Sequence, residues 1–242
     1  MTFLRRCLIA ALPPNHILHE SDMPSPFAGI EPQIRHVAFL DVLGFGSKVL
    51  ADFHSTVSLY VELIRHWQTL NHGFPQVQLT IYSDSLVLVS TDLPPLLQSI
   101  TSLHMITMGL SCMLRGGVAS GLHIATSSGQ DAFVVSESLT RAAILEKIVS
   151  NPCVALDDSV DIPDRWWPLD LPNVHRPILW FDGRRIVNPF HRYWYHSGQI
   201  RAMELRERSP GHSSKYDWFL RLYDAVGSNE PLIPPEYRER GS

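Results

Sequence analysis

The sequence predicts a mixed α/β fold in which one sheet carries helices on one face. Short apolar runs rich in β-branched and aromatic residues, typical of strands, alternate with longer segments whose apolar residues recur at helical spacing. Strands follow one another directly in two places, so the sheet is expected to be mixed rather than purely parallel. With 242 residues, 45% of them hydrophobic, the chain is long enough for one sizeable domain with additions.

The predicted elements follow the order β-α-β-β-α-β-β-α. A strand over residues 34–42 comes first, and residues 57–70 have the apolar periodicity of a helix. The later elements are a hairpin of residues 77–82 and 86–90, a helix over 93–113, a glycine-rich strand over 115–121, a strand over 133–135 and a helix over 137–148.

Composition divides the chain into three parts. Residues 1–33 are rich in Pro, His and Ser and predict an irregular N-terminal arm. Residues 34–160 hold the regular pattern and predict the main domain. Residues 161–242 are rich in aromatic residues and Arg, which predicts a C-terminal appendage that packs onto the core.

Charge and cysteine content narrow the function. The formal net charge is −4 and the pI is near 6.3, which argues against binding to nucleic acid or to an anionic membrane. No run reaches the ~18 apolar residues of a spanning helix. The three cysteines (Cys7, Cys112 and Cys153) lack the spacing of metal ligands. They predict free thiols and a cytoplasmic location.

Two aspartates carry the main chemical signal. Asp41 follows the apolar run HVAFL, and Asp84 lies between the apolar runs LTIY and LVLV. A carboxylate at the edge of a buried strand is costly unless a positive group binds it. Each aspartate alone also fits an ordinary cap or turn residue. Together they indicate a divalent metal site and therefore phosphate chemistry.

The segment after Asp41 predicts a phosphate-binding turn. It contains Gly44 and Gly46, and glycine permits close approach of the backbone to a ligand. The amides from Leu43 through Gly44 to Phe45 are therefore candidates to cradle a polyphosphate. Strand alternation also places Phe39 on the same face as Asp41.

An ordered set of motifs resembles the catalytic domain of the class III nucleotidyl cyclases. The set is FLDVLGFG, IYSDSLVLV, LRGGVASG and ESLTRAAILE, between residues 34 and 150. The family's R-x-G-x-x-x-G strand is matched by Arg115, Gly117 and Gly121, and its A-x-x-L-E helix by Ala142, Leu145 and Glu146. Among class III cyclases, the chain most resembles the bacterial pyrimidine cyclases of Pycsar antiphage defence.

The resemblance implies a two-metal nucleotidyl cyclase. Two Mn²⁺ or Mg²⁺ ions would be held by Asp41, Asp84 and the carbonyl of Val42. The substrate would be a pyrimidine nucleoside triphosphate, with UTP preferred over CTP, and the product a 3′,5′-cyclic nucleotide. The active sites would lie at a homodimer interface, and the product would act as a messenger for a separate effector protein in antiphage defence.

The chain also departs from the purine cyclases. The lysine that reads the purine base is replaced by Thr80, and the second base reader aligns near Phe133. Phe133, together with Phe39, would narrow the base pocket in favour of a pyrimidine. The transition-state Asn and Arg of the family align with Thr140 and Ile144.

Arg115 and Arg141 are therefore the candidate catalytic cations. Two alternatives remain open at this point. One is a catalytically silent cyclase-like module that binds nucleotide or a partner. The other is a palm-like two-metal enzyme of the diguanylate-cyclase type, whose Gly-Gly-Asp/Glu-Glu-Phe turn is absent here.

Overall fold

The computed structural model describes residues 29–70, 73–128, 131–190 and 195–239. Most of the predicted arm, residues 1–28, lies outside them. One mixed sheet organises the described chain, as the sequence predicted. Its centre is β1 (Gln33–Val42), which pairs antiparallel with β3 (Ser85–Ser90) on one side and with β4 (Leu114–Ser128) on the other.

The sheet has eight strands in the order β2-β3-β1-β4-β6-β8-β7, and β5 pairs with the distal half of β4. The pairing of β4 with β6 is parallel, and the other pairings are antiparallel. The remaining strands are β2 (Gln78–Tyr82), β5 (Asp131–Ser136), β6 (Val154–Leu156), β7 (Ile178–Phe181) and β8 (Arg184–Val187).

The helices are α1 (Phe45–Ala51), α2 (Phe53–Leu70), α3 (Leu93–Gly109), α4 (Glu137–Ile148), α5 (Tyr195–Arg208), α6 (Ser213–Gly227) and α7 (Pro235–Arg238). Helix α3 belongs to the same buried cluster as Leu40 and Leu86 and covers one face of the sheet. Helix α4 crosses the other face at Gly117, where an added Cβ would meet the Ala142 carbonyl oxygen at 2.5 Å, so helices lie on both faces of the sheet and not on one face as predicted. No helix among the described residues is long and apolar enough to cross a membrane.

Two buried clusters form the core. The first contains the central strands, α3 and Cys112. The second contains β6, β8, the paired helices α5 and α6, and Cys153. Both cysteine side chains are free thiols and are buried. The expected free thiols are therefore present at these two positions, while Cys7 lies outside the described residues.

The predicted elements from residue 34 to residue 148 are present, with some changes at their ends. Helix α3 ends at Gly109 instead of continuing to residue 113, because the chain reverses through Ser111 at φ 58°. Helix α1 was not predicted, and neither were strands β6 to β8. All of these are short, and β8 begins with two arginines, so none has the alternation that identifies a longer strand.

Candidate active site

Asp41 and Asp84 lie next to each other on neighbouring strands. Asp41 is near the end of β1, opposite Ser85 of β3. Asp84 immediately precedes β3, and its carbonyl oxygen accepts a hydrogen bond from the amide of Val42 at 3.0 Å. The carboxylates are close enough that the charge of Asp84 raises the pKa of Asp41. The structure thus brings together the two aspartates that the sequence singled out.

A tight turn holds Asp84 in this position. Ser83 adopts the left-handed conformation at φ 54°, as one residue of a two-residue hairpin connection. Tyr60 of α2 donates its hydroxyl hydrogen bond to the carbonyl of Ser83. Its ring packs edge-on against Phe45 with the ring centroids 4.5 Å apart. Burial, and then the charges of Asp84 and Asp41, raise the pKa of the Tyr60 hydroxyl, which therefore remains a donor.

Arg115 joins Asp41 to a third carboxylate. Its Nη2 lies 2.9 Å from Asp41 Oδ2 and 2.5 Å from Glu146 Oε1. Glu146 is buried on α4, one turn after Ala142, the residue that packs against Gly117. The sequence identified Glu146 only as part of a motif and gave it no role. The signal that could have found Glu146 is its position four residues after Ala142, which places a charged residue on the buried face of the helix.

The carboxylates of Asp41, Asp84 and Glu146 lie close together and are not fully neutralised by nearby positive charge. Burial raises the pKa of Asp41, and Asp84 adds to this rise although Arg115 opposes it. Burial also raises the pKa of Glu146, with Arg115 opposing and Asp41 adding to the rise. Asp41 and Glu146 thus share one guanidinium while the charge of Asp84 lies beside them, an arrangement that a divalent cation would stabilise.

The donor set suits Mg²⁺ or Mn²⁺. The two aspartate carboxylates and the Val42 carbonyl are hard oxygen donors, the type that these ions prefer. Within the described ranges, no group of three or more His, Cys, Asp or Glu side chains is placed to hold a metal ion. The two carboxylates would therefore rely on backbone, water and substrate oxygens to complete the shell, as is usual for Mg²⁺ bound with phosphates.

The predicted phosphate turn begins directly after Val42. The amide of Leu43 donates to the carbonyl of Met113 at 2.9 Å, which fixes the turn against the loop before β4. Gly44 has φ 77°, a conformation that favours glycine, and Phe45 begins α1 with its side chain buried. A cavity of about 480 Å³ opens beside Leu43 and Gly44.

Two of the candidate base-pocket residues lie on the same face of the sheet as Asp41. Phe39 is opposite Val87 of β3, and Val87 is opposite Thr80 of β2. Residues directly opposite one another share a face, and neighbouring strands are about 4.8 Å apart. Thr80 is therefore about 10 Å from Phe39 across the sheet and is exposed at its edge.

Phe133, the third base-pocket candidate, and Arg141, a candidate catalytic cation, do not contact the aspartates of their own chain. Phe133 is opposite Thr126, near the far end of β4 and roughly 35 Å along the strand from Arg115. Arg141 forms a bidentate hydrogen bond with Glu137 Oε1, at 3.0 and 2.8 Å. A site that uses Phe133 together with Asp41 must therefore be completed by a second chain, whereas Arg141 is bound within its own helix.

The comparisons with known proteins concern the fold. No protein-family model matches the sequence, and no curated protein is similar to it. A bacterial light-regulated adenylyl cyclase of known structure has a TM-score of 0.50 at 14% identity, over 74% of this chain and 99% of that one.

Two further solved structures are similar over about half of the chain. The catalytic core of a rhodopsin-guanylyl cyclase with converted specificity has a TM-score of 0.47 at 12% identity, over 53% of this chain and 79% of that one. The adenylyl cyclase CyaB from P. aeruginosa has a TM-score of 0.43 at 11% identity, over 53% and 80%. The likeness to the light-regulated cyclase, together with the mixed sheet described above, identifies the fold of this chain as that of the class III nucleotidyl cyclases.

Proposed function

We propose that the protein is a pyrimidine nucleotide cyclase that converts UTP to 3′,5′-cyclic UMP and pyrophosphate, with CTP as the alternative substrate. The observation that carries this proposal is the pairing of Asp41 and Asp84 on adjacent strands, directly before the turn at Gly44. The class III cyclase fold of the chain supports it. In the cell, the cyclic nucleotide would signal to a separate effector protein in defence against phage.

The carboxylates of Asp41 and Asp84 and the carbonyl of Val42 would hold the divalent ions, Mn²⁺ or Mg²⁺. When bound, such ions acidify the ribose 3′-hydroxyl and neutralise the charge of the triphosphate. Arg115 positions the Asp41 carboxylate through the 2.9 Å contact to Oδ2. Tyr60 fixes the turn that carries Asp84. The turn from Leu43 to Phe45 orients the phosphate chain, so that the 3′-oxygen meets the α-phosphorus.

The base pocket of the proposed enzyme is apolar and small. Phe39 lies on the same sheet face as Asp41, and Thr80 provides a hydroxyl where a purine cyclase has a lysine. A pocket without that lysine does not satisfy the hydrogen-bonding edge of adenine. Phe133, supplied by the second subunit, would close the pocket over a pyrimidine ring.

Exposed apolar surfaces support a homodimer with the active sites at its interface. A groove of about 400 Å³ on α1 and α2 is lined by Phe53, Val57 and Ile64, among others. A second apolar surface lies on β5, where Val134 and Val135 are exposed. Two distinct apolar surfaces on one chain suit a two-fold dimer, in which each contacts its counterpart on the other copy.

The proposal assigns the chemistry to residues 34–160. Residues 161–242 are then an appendage that extends the sheet with β7 and β8 and packs α5 and α6 onto it.

A catalytically silent cyclase-like module is the second candidate. Arg141 is held by Glu137 of its own helix, and Ile144 is 54% exposed at the position of the family's catalytic arginine. Such a module would keep the fold and the nucleotide site but would not catalyse turnover.

The decisive experiment incubates purified protein separately with ATP, GTP, CTP and UTP, with Mn²⁺ or Mg²⁺, and identifies the products by mass spectrometry. We expect cyclic UMP or cyclic CMP, and a loss of at least about a hundredfold in Asp41→Asn, because an amide is a poor ligand for these ions. Asp224→Asn, an exposed position on α6, is the matched control and should keep full activity. If folded protein makes no cyclic product from any triphosphate, the protein is either the silent module or an enzyme that awaits an activator.

A further inference from the structure

The cavity beside the phosphate turn is formed partly by the C-terminal helices. On one side it is bounded by Leu43, Gly44 and the loop that precedes β4, and on the other by the end of α5 and the start of α6. The cavity therefore lies where residues 195–239 meet the main domain. The sequence motifs that resemble those of the cyclases end near residue 150, before these helices.

The polar lining of this cavity is strongly basic. Lys48, Arg208, His212 and Lys215 all line it, and no Asp or Glu is among the described residues that line it. The Lys48 ammonium group is held by the Ser111 carbonyl at 3.5 Å and by the Cys112 sulfur at 3.1 Å. Like charges gathered without a counter-charge repel one another, so the arrangement favours binding of an anion.

The three basic residues from the C-terminal helices have no acidic partner. Among the described residues, the side chains of Arg208, His212 and Lys215 form no ion pair and no hydrogen bond. Other arginines of α5 do have partners, with Arg201 bound to Glu204 at 2.6 Å. The unpaired side chains are thus a property of the cavity and not of the helix as a whole.

The cavity begins at Leu43 and Gly44, directly after the end of the strand that carries Asp41. Leu43 is hydrogen bonded to Met113, and Met113 is two residues before Arg115, the partner of Asp41. Burial raises the pKa of Asp41, and the ammonium group of Lys215 is near enough for its charge to oppose that rise. A phosphate chain that starts at the aspartates and follows the turn would enter the cavity.

We infer that this cavity binds the terminal phosphates of the nucleoside triphosphate, with Lys215 as the principal cation and Arg208 and His212 beside it. The nucleotide rests on the function proposed above, whereas polyphosphate is the ligand that the cavity itself indicates. When the 3′-oxygen bonds to the α-phosphorus, the bond from that phosphorus to the bridging oxygen breaks. The electron pair stays on the departing pyrophosphate, whose added charge Lys215 stabilises.

This assignment adds a positive charge from the C-terminal helices to those of Arg115 and Lys48 in the main domain. Ile144 has no charge, and Arg141 is bound to Glu137. Lys215 of α6 would supply the positive charge that Ile144 and Arg141 do not, and it would do so beside the departing pyrophosphate.

The test measures the binding of inorganic pyrophosphate and tripolyphosphate to the full chain by isothermal titration calorimetry. EDTA is present, so that only protein groups bind the anion. We expect Lys215→Gln to weaken binding at least about tenfold and Lys215→Arg to restore most of it. The matched control is Arg221→Gln, which removes one positive charge from the exposed surface of the same helix, outside the cavity, and should change binding less than twofold. Unchanged thermal melting establishes that each variant is folded.

The same variants are then assayed with UTP and CTP. If Lys215→Gln lowers kcat/KM at least about tenfold and Arg221→Gln does not, the inference holds. If both variants weaken pyrophosphate binding equally, or neither does, the inference is wrong, whatever the cyclase activity. If pyrophosphate binding depends on Lys215 but no triphosphate is cyclised, the cavity assignment stands and the proposed function fails.

Discussion

Arg115 is the residue that organises the candidate site. It contacts Asp41 of its own sheet and Glu146 of the helix above it. Its Nε is buried and has no hydrogen-bond partner among the described residues, which is the cost of placing the guanidinium between two carboxylates. A site held by one shared cation is sensitive to every change that moves α4 relative to β4.

His104 of α3 should make folding stability depend on pH. It is fully buried, its Nε2 has no hydrogen-bond partner in the part of the chain that the structure describes, and burial lowers its pKa from 6.5 to about 3. The unfolded chain therefore binds a proton near pH 6.5, whereas the folded chain does not until about pH 3. Stability is complete above pH 6.5 and falls as the pH decreases below it, by about 2 kcal/mol between pH 7 and pH 5.

Urea denaturation of the wild type and of His104→Leu, at pH 7 and at pH 5, measures this contribution. We expect the acid-induced loss to shrink by about 2 kcal/mol in the leucine variant, which has no group to protonate. An equal loss in both proteins would show that another group causes the acid sensitivity.

Local sequence was sufficient to find some of the site residues and insufficient for others. Asp41 and Asp84 were recognisable because each interrupts an apolar strand pattern, a signal contained in about ten residues. Glu146 and Lys215 gave no comparable signal, because their importance depends on which element packs against which. Lys215 is an ordinary helix residue until α6 is placed beside the Gly44 turn.

At the level of elements, the contact between α4 and β4 sets the geometry of the site. Gly117 lets the helix approach so closely that an added Cβ would lie 2.5 Å from the Ala142 carbonyl oxygen and 2.9 Å from the Leu145 Cβ. The close approach in turn brings Glu146 to Arg115.

Gly117→Ala should therefore disturb both the fold and the site. We expect a loss of about 2 kcal/mol in the free energy of unfolding. The added Cβ would clash with backbone and Cβ atoms of α4, which cannot rotate away, so the whole helix must move. Thermal melting and urea denaturation measure this loss. Gly109→Ala is the control, since nothing lies within 4 Å of its added Cβ and alanine favours the helix. Equal stability of the two variants would contradict the close packing of α4.

The sequence predicted the elements that are long enough to show a full repeat of apolar residues at helix or strand spacing. The helix over residues 137–148 and the strand of residues 33–42 have one, and their observed bounds agree within one residue. The strands β7 and β8 have four residues each and derive their order from pairing with each other and with β6. Such pairing is a long-range property that no local pattern contains.

At the level of the whole molecule, the proposed homodimer accounts for residues that one chain cannot bring together. Phe133 and Asp41 are at opposite ends of β4 and its neighbours. A second copy, related by a two-fold axis, would bring the β5 end of one chain towards the aspartates of the other. The exposed apolar residues of α2 and β5 would then be covered.

Val57→Glu should prevent this association. Val57 is 44% exposed in the apolar groove of α2, so a charge there leaves the folded chain intact but opposes burial against a second copy. We expect light scattering to report a monomer and cyclase activity to fall at least about tenfold. Ile200→Glu, at a 57% exposed position of α5, is the control and should remain dimeric. A dimeric Val57→Glu protein would place the interface elsewhere.

The two buried thiols lie in different clusters, so the reactivity of each one can report the opening of its own part of the molecule. Cys112 belongs to the cluster around the central strands and Cys153 to the cluster under the C-terminal helices. Both side chains are buried in the folded chain, and burial raises the pKa of Cys153 to about 12. In a chain with Cys7 replaced, the alkylation rate of each thiol therefore reports how often its own cluster opens, and a faster rate at Cys153 would mean that the C-terminal helices detach while the aspartates stay in place.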